Sequence, residues 1–359
     1  MSTSVKRVGI VVGGGDAPGV NAILRGFVHG AHRRGIDVAA CRYGFEGLLD
    51  PKGLVPLTLA DARGVLPRGG RFLGCSTRIN PFFVATDGGA PRDAGPEIVA
   101  RLTSLGVGAL FLAGGDGTML AARKFTAYGM PCVGIAKTID NDVTCADATV
   151  GFDSARVTAT HAIDALHATA EAHARVMLVE VMGRHAGFLA LQAGVAGGAD
   201  AILLPELPYA LDRIVAKIRE REALGLRFSI VVVAEGARPA DGDVSLVEAA
   251  TPGHLARLGG AGQRLAEALD RRQLGHEVRL TVLGHVQRGG SPTAFDRLLG
   301  TRLGVHAAEL CRAGAFGRMA TLLHGRVDDV PLEQVANRKV DLASPLVATA
   351  RDLGIELAG

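Results

Sequence analysis

Short β-branched runs alternate with longer helical patterns along nearly the whole chain, and this alternation limits the possible folds more than any other feature. Candidate strands lie at Val8–Val12, Val38–Cys41, Ala109–Leu112, Val133–Ile135, Val176–Val181, Ile202–Leu204, Ile230–Ala234 and Leu280–Leu283. Helical segments fall between them, at Asn21–Arg34, Thr118–Tyr128, Ser154–Ala172, Leu211–Leu224 and Gly262–Arg272. Such alternation builds parallel sheets with helices on both faces. The strands read as near-continuous apolar runs, as expected when both sheet faces are covered. At 359 residues the chain is long enough for two domains, with a boundary placed near Gly151. Asp50 to Pro96 is the least regular stretch, and long loops of that kind often cover ligands.

Composition excludes several classes. A net charge of +3, with Arg and Lys scattered, argues against nucleic acid. The apolar run after Lys6 and Arg7 stops at Gly13, too early for a signal peptide. The longest weakly polar stretch, Ala186 to Ala199, falls short of the ~20 apolar residues of a membrane span. Cys41, Cys75, Cys132, Cys145 and Cys311 are odd in number and form no CxxC pair, so free thiols in a reducing cytoplasm are expected.

Chemistry concentrates in short polar segments at strand ends, where open parallel sheets bind ligands. Lys137-Thr138-Ile139-Asp140-Asn141-Asp142 follows an apolar run and packs two carboxylates, a lysine, a hydroxyl and an amide together. Phosphoryl transfer needs such a set: a base for the acceptor hydroxyl, a cation for the moving group and an acid near a metal. Gly13-Gly14-Gly15-Asp16-Ala17-Pro18-Gly19 and Gly114-Gly115-Asp116-Gly117-Thr118 are glycine-rich turns whose backbone N–H groups can approach phosphate oxygens. Turns of this composition also serve packing alone. Pro18 would open the first helix, Thr118 could cap the next, and Asp116 could hold a hydrated Mg²⁺. Further along come Val179 to Arg184, Ala234-Glu235-Gly236, and Leu283 to Pro292. Arg184, Arg279, His285 and Arg288 could gather around an anion, since Arg matches phosphate bidentately.

Four motifs, GGGDAPGVNA, GGDGT, KTIDND and the pair VMGR and GHVQRGGSP, make the chain resemble the 6-phosphofructokinases from about Arg7 to about Gly314. The GGDGT pentad also occurs in nicotinamide-dinucleotide kinases, but those would lack TIDND and HVQRGG. The resemblance implies two Rossmann-like three-layer αβα domains, mainly parallel, with the active site in the cleft between them. Residues 1–151 with about 290–325 would form the ATP/Mg domain, and 152–289 with the C-terminal segment the sugar-phosphate domain. It implies Asp140 as the base for the fructose 1-hydroxyl. Asp116 would be the Mg²⁺ ligand, helped by Asp142. Arg184 and Lys137 would be charges at the transferring phosphoryl, and Thr138 a contact to sugar or phosphate. Gly14, Phe72, Arg78 and Gly114, Gly115, Asp116, Gly117 and Thr118 would line the donor site. Met182, Gly183, Glu235, His285 and Arg288 would hold fructose 6-phosphate. Arg175 and Arg279 match positions that reach the 6-phosphate from a neighbouring subunit, which implies a homodimer or homotetramer in the cytoplasm.

Donor choice in the family follows two positions, matched here by Gly117 and Lys137. ATP enzymes of the best-known bacterial type carry Gly at both, and pyrophosphate enzymes carry Asp and Lys. The mixed pair also occurs in ATP-using members, so ATP is favoured and pyrophosphate is the alternative. A related acceptor such as sedoheptulose 7-phosphate, or a regulatory paralogue that only binds sugar phosphate, are further alternatives. Ala136 replaces the more usual Pro or Gly. Arg25 matches a basic residue of the bacterial effector site, and His29 stands where a second Arg is expected. The sequence after about Arg318 carries no motif.

Overall fold

The first apolar run becomes β1 (Arg7–Val12), buried at every position but the first, in the interior of an eight-stranded sheet. The computed structural model describes residues 5–86, 89–250 and 256–359. After β1 come α1 (Val20–Arg33), β2 (Asp37–Cys41), α2 (Glu46–Leu49), β3 (Leu54–Pro56), β4 (Val84–Thr86) and β5 (Gly89–Arg92). Next are α3 (Gly95–Ser104), β6 (Ala109–Gly114), α4 (Asp116–Ala127), β7 (Cys132–Thr138), β8 (Val150–Gly151), α5 (Phe152–His173) and β9 (Val176–Val181). Then follow α6 (Phe188–Ala196), β10 (Ala201–Leu203), α7 (Leu211–Ala223), β11 (Ser229–Ala234), β12 (Leu246–Glu248), β13 (Arg257–Leu258), α8 (Ala261–Asp270) and β14 (Val278–Val282). The chain closes with α9 (Ala294–Ala313), β15 (Arg318–Leu323), β16 (Arg326–Pro331) and α10 (Pro345–Asp352). Two αβα units result. One takes the described residues up to Ser154 together with Arg288–Asn337, and the other takes those from Ala155 to Gln287 together with Arg338–Gly359.

The first unit holds the large sheet in the order β16-β15-β7-β6-β1-β2-β3, with β8 paired to β7. Its inner pairings are parallel, and β3 and β16 are antiparallel at the edges. Side chains alternate across the sheet with period two. Phe111 points into a core shared with α1 and α9, where it stacks on Phe27 at 4.3 Å between ring centroids. Its neighbours Leu110 and Leu112 point into the opposite core, beneath α3 and α4. Fully burying such side chains contributes about 1.5–3 kcal/mol each. Helices α1 and α9 approach closely enough that a Cβ at Gly26 or Gly304 would strike the other helix's backbone.

The second unit holds a four-stranded, wholly parallel sheet in the order β10-β11-β9-β14, over a core of its own. Two expectations need correction here. The Leu280–Leu283 run extends instead over Val278–Val282, and β14 is not buried on both faces. It is the edge of the sheet, and its residues are half-buried or exposed. The first helix starts after Gly19, which caps it in the left-handed region at φ 89°, and not at Pro18. The β15–β16 hairpin and α10, in sequence that carried no motif, complete the two units. Among the described residues, no helix is long and apolar enough to cross a membrane, and all five cysteines are free.

Candidate functional site

In the first unit, three strand ends carry polar loops side by side, because β1, β6 and β7 are parallel neighbours. β1 runs into Gly13–Gly15, where Gly14 adopts φ 67°. β6 runs into α4 with Gly115 as its N-cap, so Asp116 sits in the first helical turn. Thr118 is therefore not the cap. It is buried, and a Cβ at Gly13 or Gly114 would collide with its side chain. Those two glycines are required by packing. Gly117 is different: nothing lies within 4 Å of a Cβ placed there.

β7 ends in Lys137 and Thr138, and the chain turns into Asp140. The Asp140 amide donates to the Thr138 hydroxyl at 3.1 Å, and Asn141 holds φ 54°. Such a left-handed non-glycine costs of order 1–3 kcal/mol and persists only where its surroundings hold it. Thr149 does the holding. Its N–H donates to Asn141 Oδ1 at 3.1 Å and its hydroxyl to the Thr138 carbonyl at 2.7 Å. Asp140 is buried, as is Lys137. The Lys137 ammonium donates to the Gly13 carbonyl at 3.2 Å and to that of Gly15. Burial, and then the charge of Arg71, push Lys137 down to about 7.

The Asp116 carboxylate accepts from Asn337 Nδ2 at 2.8 Å, and Asn337 bridges to Val143. The segment beyond β16 thus closes over the Asp116 and Asp140 loops, a contribution the sequence did not suggest. Asp116 is a single half-buried carboxylate, and no cluster of three or more His, Cys, Asp or Glu that could hold a metal occurs among the described residues. That donor set fits Mg²⁺, which is commonly bound through one or two carboxylates plus substrate phosphates. Phe72 is half-buried with its amide on Asn21 Oδ1, and Arg78 is exposed. Arg288 donates to the Asp16 carbonyl at 3.0 Å and so lies on the first glycine loop.

In the second unit, β9 and β11 are parallel neighbours and end together. β9 leads into Met182, Gly183 at φ 140° and Arg184 at φ 53°. β11 leads into Glu235, whose Oε1 accepts from the Gly183 amide at 3.2 Å and the Arg184 amide at 2.8 Å. Glu235 therefore fixes the turn that presents Arg184. Glu206 holds the far side of the same turn through the Gly187 amide at 2.9 Å. His285 is exposed in a short 3₁₀ turn.

Within the second unit, Arg184 and Arg279 do not meet. Arg279 pairs in register with Met177 near the start of β9, whereas Arg184 follows its end. Six strand residues span about 20 Å. Arg175, which precedes β9, joins Arg279 on Glu277, and the Arg175 hydrogen bond first of all lowers that carboxyl's pKa.

A family model, Phosphofructokinase, matches residues 7–311. The chain belongs to that family. It is 44% identical, over the full length of both chains, to ATP-dependent 6-phosphofructokinase 2 of Clostridium perfringens. It is also 46% identical to the pyrophosphate–fructose 6-phosphate 1-phosphotransferase of Streptomyces coelicolor, over 92% of this chain and 95% of that one. Among solved structures, the pyrophosphate-dependent phosphofructokinase of Marinobacter aquaeolei shares the fold at a TM-score of 0.79 and 22% identity, over 99% of this chain and 92% of that one. This phosphofructokinase is an enzyme, a phosphotransferase of a family whose members draw on ATP or pyrophosphate. The reading as a non-catalytic paralogue is thereby set aside.

Proposed function

We propose that the enzyme transfers the γ-phosphoryl group of ATP, with Mg²⁺, to the 1-hydroxyl of fructose 6-phosphate. The observation that carries the donor choice is the open space at Gly117, in the first turn of α4 beside Asp116. Overall similarity does not decide, since relatives named for either donor are about equally close. A helix N-terminus there favours an anion, and an uncharged, side-chain-free position leaves room for a nucleotide's inner phosphate.

The residues divide the work. Asp140, buried and held on a pinned turn, takes the proton of the acceptor hydroxyl. Thr138 fixes that turn and contacts the sugar or phosphate. Lys137 and Arg184 stabilise charge on the moving phosphoryl. Asp116 would hold Mg²⁺, with Asp142 nearby in sequence, and the ion when bound would neutralise charge on the polyphosphate. Gly14, Gly114, Gly115, Gly117, Thr118, Phe72 and Arg78 belong to the donor side. Met182, Gly183, Glu235, His285 and Arg288 serve the sugar phosphate. Arg175 and Arg279, paired at the opposite end of β9 from Arg184, fit a role in a neighbouring subunit's site, so the proposed enzyme is a homo-oligomer, and its free cysteines suit a reducing cytoplasm.

The test is a matrix of initial rates with purified protein and Mg²⁺, crossing ATP and pyrophosphate with fructose 6-phosphate and sedoheptulose 7-phosphate. The highest kcat/KM is expected for ATP with fructose 6-phosphate. Faster turnover with pyrophosphate, or with the seven-carbon acceptor, overturns the corresponding part.

A further inference from the structure

Three basic side chains reach backbone carbonyls of the first glycine loop, all within the first unit. Arg71 Nη1 donates to Val12, Lys137 Nζ to Gly13 and Gly15, and Arg288 Nη1 to Asp16. Arg71 is 8% exposed, and its Nε is satisfied by the Gly74 carbonyl. Its Nη2, also buried, has no hydrogen-bond partner. Such an orphaned donor on a charged group costs free energy unless something completes it. Four titratable groups face the Lys137 amine. Arg71 and Arg288 oppose its charge, and Asp16 and Cys75 favour it. The cluster is thus short of negative charge, at the loop assigned above to the phosphoryl donor.

We propose that Arg71 is a positioning residue of the donor site: its guanidinium on the first glycine loop, beside the buried Lys137, makes polyphosphate binding proton-linked. The inference rests on the donor-site reading. In the free enzyme burial first, and then the charge of Arg71, favours the neutral Lys137 amine over the ammonium. An arriving polyphosphate supplies the missing anion, and the amine takes one proton from solvent to become the ammonium. Only an N–H bond forms. Donor affinity should then fall by up to about tenfold per pH unit above about 7. Lys137 lies at 3% exposure against backbone carbonyls, a setting in which the neutral amine survives and the charged one needs a counter-ion.

Isothermal titration of the full-length enzyme with MgATP at pH 8.5, in two buffers of different ionisation enthalpy, gives the proton count. Magnesium pyrophosphate serves as a second probe of the same polyphosphate chemistry. About one proton should be taken up per donor bound. Arg71→Gln should lower the count and shift the affinity profile to higher pH, Arg71→Lys should retain uptake, and Lys137→Met should abolish it. No uptake in the unmodified enzyme, or an unchanged count in Arg71→Gln, overturns the inference. Should Arg71→Gln not fold, the count in the unmodified enzyme from pH 6 to 9 decides. It must rise with pH, and a flat profile overturns the proposal. If neither polyphosphate binds, the donor-site reading fails and this inference with it. Binding without proton exchange sinks the inference alone.

Discussion

Asp140 owes its place to a turn that its own sequence neighbourhood builds. Its amide rests on the Thr138 hydroxyl and the next residue is held left-handed by Thr149. Asp140→Asn keeps that shape and removes the basicity, so kcat should fall by about 10²–10⁴ with the melting temperature little changed. Near-full kcat in that variant would remove Asp140 from the role of base. Gly117→Asp meets no steric obstacle. Its effect is therefore one of charge: if the donor binds there as proposed, a carboxylate should raise KM for ATP far more than KM for fructose 6-phosphate. Equal changes in both constants would count against the donor assignment. Lys137 adds a stability prediction. Its pKa falls to about 7 in the folded protein against about 10.4 unfolded, so the unfolded state binds more protons between those values. Stability of the ligand-free enzyme should rise with pH through that window, by at most about 1.4 kcal/mol per unit from this residue. Denaturant melts of Lys137→Met should lack that increment, and parallel slopes for both proteins would refute it. At this scale, the sequence displayed the residues whose neighbours lie close along the chain. Arg71, Asn337 and Thr149 were missed. The first two act across 59 and 221 residues, and nothing local marks an Asn as the partner of a distant Asp.

The elements were legible for a physical reason. A β-branched apolar run of five or six residues is too short for a buried helix and fits a strand covered on both faces, and β9 and β11 appear where those runs lie. Where burial is one-sided, as at the edge strand β14, the pattern weakens and the boundary shifts. β16 was passed over because Arg326-Val327-Asp328-Asp329 mixes charge into a half-exposed strand. Strand ends also place the candidate site, and the β9 turn shows how. Gly183 at φ 140° lies where an L side chain is strained, and a Cβ would meet the Ala186 carbonyl at 2.7 Å. Gly183→Ala should cost about 1–3 kcal/mol of stability and displace Arg184 from the Glu235 clasp, lowering kcat. Chemical denaturation and steady-state kinetics measure both. A variant with unchanged stability and rate would show that the turn tolerates another path.

At the scale of the whole molecule, Arg175 and Arg279 share Glu277 at the end of β9 remote from Arg184. If they serve a neighbouring subunit, inactive Arg175→Ala and inactive Asp140→Asn chains should regain activity when subunits exchange, because some hybrid sites then carry neither lesion. Exchange shown by mass without recovered activity would argue for self-contained sites. The large sheet carries a different consequence. β15 lies beside β7, and α9 packs along α1, so the first unit is finished by its last strands and not its first. Roughly 180 residues separate β7 from β15, which at about 5–20 residues per second leaves Val133–Ile135 of β7 without their β15 partner for some 10–40 s during synthesis. Slowing the ribosome over the codons of the second unit should lengthen that interval, and the yield of active enzyme should drop before any change in the purified protein's stability could be seen.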